Sequence, residues 1–87
     1  MTPEPAAAVG REARDSESMV GIRAWTNAFG FQLRATREPL EWRFEAYSLA
    51  NESLLYSEAA RSEDDARYKA LRWIRKKVKR PVTLKWQ

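Results

Sequence analysis

The sequence predicts an α+β fold, in which an antiparallel β-meander of three to five strands carries one C-terminal amphipathic helix packed on one face. Two patterns predict it. From residue 19 to about residue 57, apolar and polar residues alternate with a period of two in segments separated by turn residues. From residue 66 to residue 80, apolar residues instead recur every three or four positions. The chain of 87 residues holds one small domain, which we assign to residues 19–87.

Residues 1–18 differ in composition from the rest of the chain and are predicted to form a disordered N-terminal tail. Pro3 and Pro5 interrupt any early helix or strand, and residues 11–18 are mostly polar. A segment with so little apolar surface cannot offset the entropy that is lost when a chain becomes ordered.

Three segments alternate clearly enough to assign a buried face to each strand. On the first strand, the residues predicted to face the core are Val20, Ile22, Ala24 and Thr26. On the second strand, the residues predicted to face the core are Phe29, Phe31, Leu33 and Ala35. On the third strand, they are Leu40, Trp42, Phe44 and Ala46. Leu54 to Ser57 forms a short fourth strand. Short connections around Gly30, Pro39 and Asn51 favour antiparallel pairing between neighbours.

The helix is predicted to begin after Ser62 and to end near Lys79. Ser is a favoured N-cap, and three acidic residues follow it where the helix dipole favours negative charge. A start at Ser57 would instead shorten the fourth strand. Pro81 stops the helix, and the alternation that follows predicts either a closing strand or an extended tail that folds back. The predicted sheet-facing stripe consists of Ala66, Ala70, Leu71, Ile74 and Val78.

The charge of the helix is the most informative feature of the chain. Residues 61–87 carry a net charge of +7, against +4 for the whole chain. The helical arc opposite the apolar stripe collects six cations without interleaved acids: Lys69, Arg72, Arg75, Lys76, Lys79 and Arg80. Like charges four residues apart destabilise a helix slightly, which indicates a negatively charged partner. A solvated face that only maintains solubility explains the same pattern.

Aromatic residues offer a second, weaker signal. Trp42 is predicted to lie in the core and Trp73 at its edge. Trp25 lies off the apolar alternation and Trp86 near the end of the chain, where either could stack on a base or contact a partner, although packing explains each as well. The outward face of the sheet carries both signs of charge, which predicts cross-strand ion pairs and makes it a weaker candidate than the helix.

The residue inventory excludes most catalytic chemistry. The chain has no Cys and no His, so zinc fingers, disulfide scaffolds, thiol redox chemistry and Ser-His or Cys-His catalysis are excluded. The one acidic cluster worth testing as a metal site consists of Glu58, Glu63, Asp64 and Asp65. The last three are consecutive in the first helical turn, where they diverge, so capping explains them better than a metal site does. We therefore expect no enzymatic activity, no cofactor and no metal. The chain also lacks a membrane-spanning run and a secretory signal, so we expect a cytoplasmic location.

These patterns predict a small basic nucleic-acid-binding module that contacts phosphates through one side of its helix, with little sequence specificity. The alternative is a protein-interaction module, such as a phage-type inhibitor or an accessory subunit, that binds an acidic protein surface. The small size also allows a homodimer. The order of elements over about residues 20–80 resembles integrase-type DNA-binding modules and phage-encoded inhibitor proteins. This resemblance includes no shared motif, so it assigns no residue a role.

Overall fold

The computed structural model describes residues 20–87, so the predicted tail at 1–18 lies outside the described residues. One antiparallel sheet contains β1 (Gly21–Ala28), β2 (Phe31–Arg37), β3 (Trp42–Ser48) and β4 (Leu54–Ala60), side by side in chain order. A single helix, α1 (Glu63–Val78), follows β4 and packs on one face of the sheet. The predicted α+β meander with one C-terminal helix is confirmed.

The core lies between α1 and the inner face of the sheet. The centre of that face consists of Leu33, Ala35, Phe44 and Ala46, all fully buried. The helix presents Ala66, Ala70 and Ile74 to it, as its periodicity predicts, and these three are also fully buried. Because two of them are alanines, the helix can approach the sheet closely. Trp73 lies at the edge of this core, with its ring centroid 5.1 Å from that of Phe31 in an edge-to-face arrangement.

The predicted buried face of β1 is wrong at its start. Ala24 and Thr26 are buried, but Val20 and Ile22 are exposed. The register explains the difference, since Ile22 pairs with Thr36 whereas Ala24 pairs with Ala35. Arg23 is therefore the extra residue of a β-bulge, and one extra residue moves the preceding side chains to the opposite face.

Phe29 and Leu40 were predicted as inner-face residues and instead occupy the two tight turns. The β1–β2 turn has φ angles of 55° at Phe29 and 86° at Gly30, which is the geometry of a two-residue type I′ turn. Leu40 lies in the β2–β3 turn and is 96% exposed. At a two-residue turn the strand alternation stops, so apolar residues at these positions leave the core face.

The fourth strand is longer than predicted, since it continues from Ser57 to Ala60. It forms one edge of the sheet, and its pairing with β3 is irregular because Tyr56 pairs with Ala46 while Leu54 pairs with Tyr47. The interposed Leu55 is 47% exposed and the neighbouring Leu54 is 51% exposed. The alternative helix start at Ser57 is excluded because that residue lies within β4.

Both ends of α1 follow the predicted chemistry. The Ser62 hydroxyl accepts a hydrogen bond from the Asp65 backbone N–H at 3.0 Å, and the Asp65 carboxylate accepts one from the Arg61 backbone N–H at 2.9 Å. At the other end, Lys79 adopts a left-handed conformation with φ of 58°. Its N–H donates to the Arg75 carbonyl at 2.7 Å, which closes the last turn before Pro81.

The residues after Pro81 form an extended segment rather than a closing strand, so the folding-back alternative is correct. Val82 is buried, and Leu84 and Trp86 pack against the core. The Gln87 backbone N–H donates to the Trp25 carbonyl at 2.8 Å. The helix packs mainly on β2, β3 and β4, and this segment lies beside β1.

Candidate functional site

Charge is segregated along α1. All three acidic residues of the helix lie in its first turn, where they complement the helix dipole and support the N-cap. After Asp65 the sequence contains nine Lys and Arg residues and no Asp or Glu. The C-terminal half of the helix therefore has no acidic side chain of its own to balance its cations.

Lys69 differs from the other cations of the predicted set. Its ammonium lies 3.5 Å from a Glu58 carboxylate oxygen and 3.6 Å from one of Asp65. The side chain is 22% exposed. No acid is interleaved among residues 66–80, but two carboxylates border this end of the cationic arc, because Asp65 lies one turn before Lys69 and β4 supplies Glu58 from the sheet. Lys69 is available to a phosphate only in competition with these carboxylates.

The five remaining predicted cations are all exposed: Arg72, Arg75, Lys76, Lys79 and Arg80. Within residues 20–87, no carboxylate lies within 4.0 Å of any of them. Arg75 points toward the C-terminal segment, since its Nη2 donates to the Val82 carbonyl at 3.3 Å. The other four follow the remaining surface of the helix to the end of the last turn.

A groove separates α1 from the edge strand β4, and we call it the α1–β4 groove. Its lining consists of Tyr56 and Glu58 from the strand and Lys69, Arg72, Trp73 and Lys76 from the helix. Three of the six predicted cations thus meet in one concave surface. The register places Tyr56 and Glu58 opposite the buried Ala46 and Phe44, so both belong to the helix-bearing face of the sheet.

Two aromatic rings form part of this groove. The ring centroids of Tyr56 and Trp73 are 6.2 Å apart with an angle of 25° between the planes. Tyr56 is 40% exposed, and its hydroxyl donates to Glu58 Oε1 at 3.0 Å. This hydrogen bond to a carboxylate raises the pKa of Tyr56.

A second cluster of cations and aromatic rings lies at the C-terminal end of α1. The Arg80 guanidinium carbon is 4.9 Å from the centroid of Phe29, the exposed residue of the β1–β2 turn. The Lys77 ammonium is 5.2 Å from the Trp73 ring. Lys77 is exposed, although its position on the helical wheel is on the sheet-facing side.

Sequence reasoning missed Tyr56 and Lys77, and it considered Glu58 only as a member of an acidic cluster, not as a neighbour of the cationic helix. Tyr56 and Glu58 are two residues apart in a strand, so they share a face, and this spacing was the available signal. Their proximity to Lys69 depends on how the helix crosses the sheet, which a helical wheel does not contain.

The two tryptophans predicted as stacking or interface residues do not join the groove. Trp25 pairs with Arg34 on the outer face of the sheet, opposite α1, and is 38% exposed. Trp86 packs against the core, with the Arg67 guanidinium carbon 5.5 Å from its ring. Trp25 is therefore remote from the cationic helix, and Trp86 has a packing role.

Within the described residues, the outer face of the sheet holds one ion pair, which lies along one segment rather than across strands as predicted, and Arg34 has only neutral partners. Arg43 forms an ion pair with Glu41, and its Nε donates to the Ser57 hydroxyl at 2.9 Å. The Arg34 Nε donates to Gln32 at 2.7 Å, and its guanidinium carbon is 4.0 Å from the centroid of Tyr47. Groups that are already paired gain less from a phosphate than free cations do, so this face is the weaker anion site.

No protein-family model, no curated protein and no solved structure matches this chain. In the part of the chain that the structure describes, the helix is too short and too polar to cross a membrane. The function must therefore be inferred from the chemistry of the surface.

Proposed function

We propose that this domain binds nucleic acid through phosphate contacts from the cationic side of α1. The main contacts are Arg72, Lys76, Lys79 and Arg80, while Lys69 and Arg75 add positive charge at the borders of the surface. One observation carries the proposal: all six cations between residues 72 and 80 are exposed and, within the described chain, none has a carboxylate within 4.0 Å.

Mutual repulsion favours a polyanionic partner over simple solvation. Arg72 and Lys76 are four residues apart, as are Arg75 and Lys79, and each such like-charge pair costs an isolated helix about 0.2–0.5 kcal/mol. Phosphates placed along this face would convert the repulsion into attraction and release condensed counterions. Because phosphate contacts do not report base identity, little sequence specificity is expected.

The backbone at Lys79 supports the same proposal. The residue that follows a helix in the left-handed conformation is usually glycine, because a Cβ is strained there. Lys79 occupies this position with φ of 58°. The helix dipole favours a cation near this end, yet it does not require one at the strained residue. A contact between the Lys79 side chain and a phosphate would explain why a lysine rather than a glycine occupies this position.

An acidic protein surface is the second candidate partner. The observation that favours it is the exposed edge strand β4, where Leu54 and Leu55 are 51% and 47% exposed. A protein could bury these side chains and pair with β4, which no further strand covers within residues 20–87, whereas a phosphate backbone gains nothing from them. Capture experiments with and without nuclease treatment of the lysate separate the two candidates, since partners bridged by nucleic acid disappear after treatment.

The direct test is a charge reversal with a matched control. The double variant Arg72→Glu/Lys76→Glu should lose at least tenfold in affinity for labelled oligonucleotides, measured by fluorescence anisotropy, with an unchanged circular dichroism spectrum. The control Arg23→Glu/Lys85→Glu changes net charge equally at two exposed positions away from the groove. It should lose much less affinity. Equal losses in the two variants, or none in the first, would refute the assignment of the surface.

A further inference from the structure

We propose that the α1–β4 groove holds an unstacked base and that the preferred ligand is therefore single-stranded nucleic acid rather than duplex. This inference rests on the proposed function and deepens it, because it names the form of nucleic acid that the surface selects. It is carried by the combination of two aromatic rings, three cations and one carboxylate within the same groove.

The aromatic side chains supply a surface for a base. Tyr56 is 40% exposed although it lies on the core-bearing face of the sheet, because β4 is the edge strand and no further strand covers it within the described residues. Its ring is nearly parallel to that of Trp73. Bases stack on exposed aromatic rings with little regard to their identity, and only unpaired, unstacked bases have a face free to do so.

The cations stand where the backbone of such a ligand would pass. Arg72 and Lys76 lie one helical turn apart and, with Lys69, line the helix side of the groove that contains the rings. A base against Tyr56 and Trp73 would thus place its neighbouring phosphates against exposed cations. Single-strand-binding surfaces combine these same two elements, a positively charged groove and aromatic stacking positions.

The Glu58 carboxylate in the groove favours the base of a nucleotide over its phosphate. Glu58 is 43% exposed, and one of its carboxylate oxygens lies 3.5 Å from the Lys69 ammonium, so the two side chains form an ion pair in the groove. A carboxylate repels phosphate but accepts hydrogen bonds from the amino groups of base edges. A groove that bound phosphates alone would be weakened by Glu58, whereas one that holds a base can use it.

The test compares a short labelled single strand with the duplex of the same sequence, at two salt concentrations. The unmodified protein should bind the single strand more tightly. Tyr56→Leu should weaken single-strand binding about tenfold and leave duplex binding and the salt dependence of affinity unchanged, because it removes a stacking surface and no charge. Tyr56→Phe retains the ring and should bind like the unmodified protein, which controls for the ring's packing 5.8 Å from Phe44.

Tyr47→Leu is the matched control on the opposite face of the sheet, where the Tyr47 ring contacts Arg34. It should leave single-strand binding unchanged. A duplex preference, or equal single-strand affinity in Tyr56→Leu and the unmodified protein, would overturn the inference while leaving phosphate binding by α1 intact. Failure of the unmodified protein to bind any oligonucleotide at low salt would instead overturn the proposed function, and the inference with it.

Discussion

Replacing Lys79 with glycine should make the domain more stable and its nucleic-acid binding weaker. Lys79 ends α1 in the left-handed conformation with φ of 58°. That conformation costs a residue with a Cβ about 1–2 kcal/mol. Glycine avoids this cost but loses about 0.5–1 kcal/mol more conformational entropy on folding. The net gain is about 0.5–1 kcal/mol in the free energy of unfolding.

The change in stability is large enough to measure by thermal unfolding. For a domain of this size, 1 kcal/mol shifts Tm by about 4–8 °C, so Lys79→Gly should raise Tm by about 2–8 °C. The same substitution removes one phosphate contact. The slope of log affinity against log salt should fall by about 0.7–0.9, and affinity near 0.1 M salt should fall about fivefold.

Lys76→Gly is the matched control, because it removes the same charge from the same surface three residues earlier. Lys76 lies within the α-helix, where glycine is less favourable than lysine by about 0.5–1 kcal/mol. The Tm of Lys76→Gly should therefore fall, whereas its oligonucleotide affinity should fall by the same factor as that of Lys79→Gly. A lower Tm in Lys79→Gly would refute the strain argument. Unchanged oligonucleotide affinity in Lys79→Gly would refute the role of Lys79 as a phosphate contact.

Two further predictions concern the acidic residues around Lys69. The pKa of Asp65 is lowered, first by the hydrogen bond from the Arg61 backbone N–H and also by the charges of Lys69 and Arg61. A carboxyl whose pKa is lower in the folded state stabilises the fold above its unfolded pKa, and this stabilisation is lost as pH falls through the folded pKa. Asp65→Asn should therefore lower the free energy of unfolding at neutral pH. Urea unfolding at a series of pH values should show that the difference in free energy from the unmodified protein becomes smaller in acid. A difference that stays constant with pH would contradict this. Glu58→Gln removes one of the two carboxylate partners of Lys69. The slope of log oligonucleotide affinity against log salt should therefore become steeper by up to about 0.7–0.9. A shallower slope would argue against a position of Lys69 near the ligand.

The elements of the fold are encoded locally, and for this reason the sequence predicts them. Ser62 and the acids after it specify the helix start, and Pro81 stops the chain from continuing the helix. The alternation around Leu33 and Phe44 identifies the inner face of the central strands. Alternation cannot show a bulge, so the side of β1 to which Ile22 points was assigned wrongly.

The helix residues of the candidate site could be predicted from the sequence, but the residues that β4 contributes could not. A helical wheel collects Arg72 and Lys76 on one face because both belong to a single helix. It cannot show that β4 brings Tyr56 and Glu58 against that face, since this depends on the angle at which the helix crosses the sheet after the two-residue β4–α1 connection. The same packing adds Glu58 to Asp65 as a second carboxylate partner of Lys69.

The most direct test of the central claim is the affinity of the unmodified protein for a labelled single strand across a salt series. Four phosphate contacts on a single strand predict a slope of about −3 in log affinity against log salt, which is a loss of about 60-fold between 50 and 200 mM. A steep slope of this size would show that the domain binds through about four phosphate contacts, the number that we assign to Arg72, Lys76, Lys79 and Arg80. Absence of binding at the lowest salt, or affinity that does not change with salt, would contradict it.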